Sequence, residues 1–160
     1  MVTWVGPDAK PILRWMGAAG PTELMGGHRM KGMEINGKPI VYHIGYQHFS
    51  TITAFVAKMF VEGVTLVVDV RSFPRSCKKG FDGKAMMEGL AERCIMYQWE
   101  GKEMGGKSTC EEWDRGCLRV MKLAETEQVC LVCLETRWED CHRRHLCRIL
   151  NGFKVHTVNL

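Results

Sequence analysis

The sequence predicts an α/β domain in which a mostly parallel, five-stranded sheet is flanked by helices. Strand-like apolar segments alternate with amphipathic helical segments from residue 39 onward. This alternation is typical of parallel sheets, because a helix must return the chain to the start of the next strand. The segment 64–70 is also a continuous apolar run of strand length, as expected for a strand buried on both faces.

Five strands are predicted from β-branched and apolar runs that end at glycine, proline or polar residues. They cover residues 40–45, 64–70, 95–99, 129–134 and 153–158. Right-handed crossovers would place helices on both faces of such a sheet. The expected architecture is therefore a single three-layer, Rossmann-like domain.

Four helices are predicted between these strands from capping residues and apolar stripes. The predicted N-caps are Ser50, Asp82, Thr109 and Asp140. Thr109 and Glu112 have the spacing of a capping box, while Gly63 and Gly152 should end the first and last helices. The stripes expected to face the core are Ile52, Phe55, Val56, Met59 and Phe60; then Met86, Met87, Leu90 and Ala91; then Trp113, Cys117, Val120, Met121 and Ala124; and finally Leu146, Ile149 and Leu150.

Residues 1–38 differ in composition from the rest of the chain. They contain seven of the 17 glycines and three of the five prolines, without a sustained hydrophobic period. We therefore predict an irregular N-terminal extension, 1–38, that ends in a turn at Asn36-Gly37, followed by an α/β domain, 39–160.

Composition limits the classes of protein to consider. The chain has 160 residues, 46% of them hydrophobic, and a net charge of +4. No apolar run is long enough to span a membrane, and the N-terminus lacks the pattern of a signal peptide, which predicts a cytoplasmic location. The eight cysteines are expected to be reduced thiols, several of them on apolar helix stripes.

A binding site is expected where parallel strands end, because the loops after the strands meet at one edge of the sheet. These loops are 45–49, 69–81, 99–108 and 133–141.

The loop 69–81 begins Asp69-Val-Arg71-Ser72 and continues through Arg75 to Lys78 and Lys79. An acid at a strand end, followed by basic and hydroxyl side chains, suits the binding of an anion or a sugar hydroxyl, so Asp69, Arg71, Ser72 and Arg75 are predicted substrate contacts. The alternative is a structural ion pair between Asp69 and Arg71.

The loop 99–108 contains Glu103, a candidate acid or base, and the adjacent Gly105 and Gly106. Glycines let a backbone approach a ligand closely, which predicts that this loop contacts substrate. A surface carboxylate is the alternative for Glu103.

The loop 133–141 leads into the run Cys141-His142-Arg143 at the start of the last helix. A helix N-terminus, an imidazole and a guanidinium all favour a thiolate, so Cys133 or Cys141 is a predicted nucleophile with His142 as acid or base. Glu135 shares the strand parity of Cys133 and is a further catalytic candidate, while Arg143 should position the substrate. A buried structural role for Cys133 is the alternative.

Zinc binding is a further alternative for this region. Cys130 and Cys133 lie three residues apart on a strand, however, so their side chains should point to opposite faces and cannot form a zinc knuckle. No metal ligand and no cofactor is predicted.

These residues resemble the family of bacterial, archaeal and phage proteins described as domain of unknown function 488. The resemblance rests on an ordered set of short motifs over about residues 40–158: Ile44-Gly45-Tyr46, Asp69-Val-Arg71-Ser72-x-Pro74-x-Ser76, Gly80-Phe81, Glu103-x-Gly105-Gly106, Cys133-x-Glu135 and Cys141-His142-Arg143. It implies a compact α/β domain with these residues, Tyr46 included, around one pocket. It implies no activity. The extension 1–38 is a departure from the family pattern.

The sequence leads to three functional hypotheses. The first is a thiol-dependent transferase or hydrolase that acts on a small anionic, nucleotide-like substrate. The second is a nucleotide- or nucleic-acid-binding module without turnover, in which basic residues contact phosphates and tryptophans stack on bases. Its contacts would be Arg75, Lys78, Lys79, Arg144 and Arg148 with Trp99, Trp113 and Trp138. The third is a metal-binding protein.

Overall fold

A computed structural model describes residues 33–160 of the protein. In this range six strands form one mostly parallel sheet, accompanied by five α-helices. The elements in chain order are β1 (Glu34–Ile35), β2 (Lys38–Gly45), α1 (Ile52–Val61), β3 (Leu66–Asp69), α2 (Gly83–Ala91), β4 (Met96–Trp99), α3 (Gly101–Met104), α4 (Cys110–Leu123), β5 (Val129–Cys133), a 3-10 turn (Trp138–Asp140), α5 (Arg143–Gly152) and β6 (His156–Asn159).

The five predicted strands are present and parallel. The central strand, β5, pairs with β2 and β3, while β4 lies outside β3 and β6 pairs with β2. The sixth strand, β1, lies within the predicted extension and pairs antiparallel with β2. The turn predicted at Asn36-Gly37 joins them, with φ of 54° and 73° at its two residues, as a tight hairpin requires.

The hydrophobic core lies on both sides of this sheet. One buried cluster joins α1 and α2 to side chains such as Ile44 and Val132, and the other joins α3, α4 and α5 to side chains such as Leu131 and Cys133. Each central strand is therefore buried on both faces, which explains the continuous apolar runs in the sequence. The finer description of the fold as Rossmann-like stays a prediction.

Most helix ends match the sequence signals. Asp82 caps α2, Thr109 forms the predicted capping box with Glu112, and Gly63 follows α1 with a φ of 69°. The first predicted cap was wrong. Thr51, not Ser50, accepts the N–H of Ala54, because the helix begins one residue later.

Two side chains predicted to face the core are exposed. Phe60 is 54% exposed, with the guanidinium of Arg93 over its ring. It follows the buried Met59, and one further residue turns the side chain by about 100° around the helix, away from the sheet. Ala91, the last residue of α2, is exposed for the same reason after Leu90.

The start and end of the last helix also differ from the prediction. Asp140 closes a 3-10 turn instead of capping α5, and its carboxylate pairs with Arg137 at 3.4 Å. α5 begins at Arg143 with His142 in the N-cap position. Gly152 is the last helical residue instead of the stop, because the reversal falls at Lys154, which has a φ of 64°. β6 accordingly begins at residue 156.

Residues 1–32 of the predicted extension lie outside the described residues, so the boundary between residues 38 and 39 stays a prediction. None of the helices in residues 33–160 has the length and apolar character needed to cross a membrane.

Three glycines allow the loops at the carboxyl edge of the sheet to pack backbone against backbone. A Cβ at Gly45 would lie 1.7 Å from the carbonyl oxygen of Glu135, and one at Gly101 would lie 1.7 Å from that of Arg71. At Gly105 it would lie 2.8 Å from the Cα of Ser72. The loops can approach this closely only because these residues lack a side chain.

The Gly45→Ala variant should be destabilised by about 2–4 kcal/mol, because backbone atoms at 1.7 Å must move apart. Gly152→Ala is the matched control. Its Cβ would meet nothing within 4 Å, so stability should stay the same or rise by about 0.5–1 kcal/mol. Urea unfolding followed by circular dichroism measures both. Equal stability of the two variants would contradict the packing argument.

Candidate functional site

The loops after the parallel strands converge as predicted. The N–H of Tyr46 donates to the carbonyl of Cys133 at 3.1 Å, and the N–H of Val70 donates to that of Val132 at 3.0 Å. The indole of Trp99 reaches across to the carbonyl of Arg71 at 2.8 Å. The carboxyl edge of the sheet therefore brings together all four loops that contain the predicted site residues.

The first group of site residues is a buried network around Arg71. Its guanidinium donates from Nε and Nη2 to the Asp69 carboxylate, at 2.8 and 2.5 Å, and from Nη1 to the Tyr46 hydroxyl at 3.1 Å and the Phe81 carbonyl at 2.7 Å. Asp69 also accepts the hydroxyl of Tyr97 at 2.7 Å. Asp69 is fully buried and Arg71 is 6% exposed. We refer to these four side chains as the Arg71 network.

The Arg71 network ties two loops, 45–49 and 69–81, to strand β4 through charge-assisted hydrogen bonds. Burial opposes the charge of Arg71, but the hydrogen bonds and charge of Asp69 outweigh it and raise the pKa of the guanidinium. Burial and Asp69 likewise raise the pKa of Tyr97. This is the pairing that the structural alternative predicted, and the roles of Tyr46, Asp69 and Arg71 in substrate binding stay predictions.

The Gly105-Gly106 segment contacts protein on both sides. A Cβ at Gly105 would lie 2.7 Å from Ser72 Oγ, and one at Gly106 would lie 3.2 Å from Nδ1 of His142. The indole of Trp113 donates to the Gly105 carbonyl at 2.9 Å. The segment therefore joins the Ser72 loop to the last helix.

Glu103, on α3, is engaged in ion pairs with α4. Its carboxylate lies 2.5 Å from Arg119 and 3.5 Å from Arg115. These contacts match the surface-carboxylate alternative, and its acid or base role stays a prediction.

The second group, which we call the thiol cluster, consists of Cys133, Glu135, Cys141, His142 and Arg143. Cys133 ends β5, Cys141 follows the 3-10 turn, and His142 and Arg143 begin the last helix. Cys130 packs in the opposite core cluster from Cys133, as the strand parity predicted. The cluster is nearly closed, since Cys133 is 4% and Cys141 5% exposed.

Arg143 carries the charge that dominates the thiol cluster. It is fully buried, and no carboxylate among residues 33–160 forms an ion pair with it. Its Nη2 donates to the Glu135 carbonyl and its Nε to Cys141 Sγ at 3.4 Å, while Nη1 is buried without a partner among the described residues. A guanidinium does not lose its proton, so the Cys141 sulfur is the group that can balance its charge.

The surroundings favour the thiolate form of Cys141. The interaction with the neighbouring Cys133, and then those with His142 and Arg143, lower the pKa of the Cys141 thiol against the opposing effect of burial. The positive charge of Arg143, whose Nε lies 3.4 Å from Sγ, stabilises the ionised form of the Cys141 sulfur by Coulomb attraction.

His142 is oriented as the partner of Cys141. Its Nε2 lies 3.0 Å from the Val70 carbonyl, which can only accept, so Nε2 carries a proton. Nδ1 then faces Cys141 Sγ at 3.8 Å. Burial lowers the pKa of His142, but hydrogen bonding to Cys141 and the charge there outweigh it and raise it. Cys141, His142 and the Val70 carbonyl thus have the relative positions expected of a nucleophile, an acid or base and a group that orients it.

Cys133 has the opposite environment. Its thiol donates to Glu135 Oε2 at 3.3 Å, and no cationic group touches it among the described residues. Hydrogen bonding to Cys141, burial and the charges of Cys141 and Glu135 all raise the pKa of the Cys133 thiol. Of the two nucleophiles that the sequence left open, Cys141 has the activating contacts.

His43, which sequence analysis missed, belongs beside the thiol cluster. It lies on β2, is 4% exposed, and its ring packs against Trp138 at 5.6 Å. Its Nδ1 is buried without a partner among the described residues. Burial first, and then the charge of Arg143, lower its pKa to about 4. In the sequence, His43 could have been noticed as the single polar residue in the apolar run 40–46.

Three ligand atoms of the thiol cluster are close enough to hold a metal ion. One atom each from Cys133, Cys141 and His142 lie within 4.8 Å of one another. A structural zinc site uses four ligands, and the buried guanidinium of Arg143 beside Cys141 would repel a dication. The arrangement therefore suits an ionised thiol better than a metal.

Two surface clefts lie near the site, each of about 350 Å³, and neither is lined by the thiol cluster. One is lined by Ser72, Phe73, Trp99, Gly101, Lys102, Lys107, Ser108 and Glu112, and the other by Pro74, Arg75, Asp82, Gly83 and Lys84. The predicted phosphate contacts Arg75, Lys79, Arg144 and Arg148 are exposed, while the Lys78 ammonium donates to the Gln47 carbonyl at 2.6 Å. The nucleic-acid alternative stays a prediction.

Comparison with known proteins confirms the predicted resemblance over part of the chain. Residues 51–119 match the family model described as Domain of unknown function DUF488. No curated protein and no solved structure matches the chain. The matched range contains Asp69, Arg71 and Gly105, but it ends before β5 and the thiol cluster.

The buried His43 should make the protein less stable in acid. Its pKa is about 4 when folded and about 6.5 when unfolded, so the unfolded state binds more protons between these values. Stability should therefore fall by about 3 kcal/mol as the pH drops from 6.5 to 4. In His43→Gln this part of the pH dependence should vanish.

Urea unfolding at several pH values measures the effect. His156→Gln, which changes an exposed histidine on β6, should keep the wild-type pH dependence. Titration of the thiol cluster is common to all three proteins and cancels in the comparison. An unchanged slope in His43→Gln would contradict the assignment.

Proposed function

We propose that the protein is a thiol-dependent enzyme that transfers or hydrolyses a group of a small anionic substrate, with Cys141 as the nucleophile. The observation that carries this proposal is the contact of one nearly buried sulfur with two cationic groups. Cys141 Sγ lies 3.4 Å from Nε of Arg143 and 3.8 Å from Nδ1 of His142. A thiol in such surroundings is an activated nucleophile.

The residues of the thiol cluster take distinct roles in this proposal. Cys141 attacks the electrophilic atom of the substrate. His142, fixed by its hydrogen bond to the Val70 carbonyl, supplies a proton from Nδ1 to the leaving group. Arg143 holds the thiolate before the attack and offers its unpartnered Nη1 to the negative charge of the substrate.

The substrate must be small at its reacting end, because Cys141 is only 5% exposed. A nucleotide-like substrate would have to extend toward the cleft beside Ser72, where Lys102 and Lys107 could bind a phosphate. The Gly105-Gly106 segment, which contacts both Ser72 and His142, lies between this cleft and the nucleophile.

The rate of Cys141 alkylation should be nearly independent of pH between about 6 and 8.5, because the thiolate is already formed. A free thiol such as N-acetylcysteine loses about tenfold in rate for each pH unit below its pKa. Iodoacetamide, which is small, followed by peptide mapping gives the rate at Cys141 alone. A rate at Cys141 with the slope of the free thiol would overturn the proposal.

Removal of the Arg143 charge should restore an ordinary pH dependence. In Arg143→Met the alkylation rate of Cys141 should fall with decreasing pH, as in a free thiol. Arg148→Met, which removes an exposed arginine from the same helix, should behave as wild type. Circular dichroism establishes that each variant is folded. If Arg143→Met does not fold, His142→Gln tests the second cationic contact in the same assay.

Metal analysis separates the thiol proposal from the metal-binding alternative. After dialysis against zinc and then buffer, the purified protein should retain well below one zinc per chain, because Arg143 opposes a dication beside Cys141. Elemental analysis by mass spectrometry gives the ratio. One zinc per chain that is lost in both Cys133→Ser and Cys141→Ser would replace the thiol proposal with a metal site.

A further inference from the structure

The nucleophile has a second thiol beside it. Cys133 Sγ and Cys141 Sγ lie within 4.8 Å of each other, although one ends β5 and the other follows the 3-10 turn. Both are at least 95% buried, so each is shielded from thiols in solution. A hydrolase or an acyl-transfer enzyme has no use for such a neighbour, since water or an acceptor attacks the carbon or phosphorus of its intermediate.

The two thiols are arranged for reaction in a fixed order. Cys141 contacts Arg143 and His142 and is the first to ionise. Cys133 donates its proton to Glu135 Oε2 at 3.3 Å, so the carboxylate can accept that proton when Cys133 attacks in turn. A sulfur bound to Cys141 would present its bond to Cys133, and thiolate attack on such a bond proceeds through direct displacement.

The cluster also has an unpaired donor for an anion. Nη1 of the fully buried Arg143 has no hydrogen-bond partner among the described residues, and neither does Nδ1 of His43, which is 4% exposed. Buried polar atoms without partners are rare in folded proteins. A small anion beside Cys141 would satisfy the guanidinium, and the closed surroundings favour a species of a few atoms.

We propose, building on the function above, that the substrate class is a small anion with a sulfur–sulfur bond, such as thiosulfate, and that Cys133 is the resolving thiol. The Cys141 thiolate attacks the outer sulfur of thiosulfate, the sulfur–sulfur bond breaks, and sulfite leaves with the electron pair. The product is a persulfide on Cys141.

Cys133 then loses its proton to Glu135 and attacks Sγ of Cys141. The bond between Cys141 and the outer sulfur breaks, and hydrogen sulfide leaves with the protons released by the two thiols. The sum is thiosulfate plus two thiols giving sulfite, hydrogen sulfide and a Cys133–Cys141 disulfide. The substrate is the oxidant, the two thiols are oxidised, and no other reactant is needed for one turnover.

A single-turnover experiment tests this sequence. Reduced protein, freed of reductant under nitrogen, receives sodium thiosulfate, is quenched with acid and N-ethylmaleimide, and is digested without reduction for mass spectrometry. The wild type should give the Cys133–Cys141 cross-linked peptide with equimolar sulfite and sulfide. Cys133→Ser should instead accumulate persulfide on Cys141 to a level at least about tenfold above wild type.

Two further variants serve as controls. Cys141→Ser should give neither product, and Cys110→Ser, which makes the same change at an exposed cysteine, should behave as wild type. Equal persulfide in wild type and Cys133→Ser, without the cross-link, would overturn the resolving role. Cys141 that is alkylated as a thiolate but unchanged by thiosulfate would overturn the substrate class alone, whereas Cys141 that is inert to both reagents would remove the proposed function as well.

Discussion

The structure of the site depends on one buried charge, the guanidinium of Arg143. Burial of such a cation without a counter-charge costs several kcal/mol, and no carboxylate among residues 33–160 pairs with Arg143. A negative charge on a neighbour would reduce this cost, which favours the thiolate form of Cys141 and in turn raises the pKa of His142. The reactivity that we propose for the cluster would therefore be a consequence of how its charges are buried.

In the Arg71 network the charge of a buried arginine is balanced by a carboxylate instead of a thiol. Asp69 gives Arg71 a carboxylate, and Tyr46, Tyr97 and the Phe81 carbonyl complete the hydrogen bonding. All of these hydrogen bonds hold parts of the protein together at the edge of the sheet. The two buried arginines thus differ in their hydrogen bonding: Arg71 stabilises the edge of the sheet, whereas Nη1 of Arg143 has no partner among the described residues.

Much of the fold could be predicted because its signals are local. Apolar runs identified the strands, and the parallel order then placed the site loops at one edge. The Ser50 cap was wrong because the adjacent Thr51 offers the same hydroxyl. The Asp140 cap was wrong because Asp140 lies in a 3-10 turn and α5 begins three residues later without a side-chain cap. The sequence could not tell whether His142 and Arg143 contact Cys133 or Cys141, since this depends on side-chain orientation after the 3-10 turn. It could not place His43 beside the cluster, since His43 and Trp138 are far apart in the sequence.

The match to the family model adds a constraint on how the site is built. It covers residues 51–119 and so includes the Asp69–Arg71 pair and the Gly105-Gly106 segment. The thiol cluster lies outside this range. The two parts meet at Gly106, whose backbone packs against the His142 side chain. Gly45, which lies outside the matched range, packs against the Glu135 backbone. Because a methyl group at Gly45 would push this backbone away, the position of Glu135 beside Cys133 depends on the glycine as well as on the cysteine.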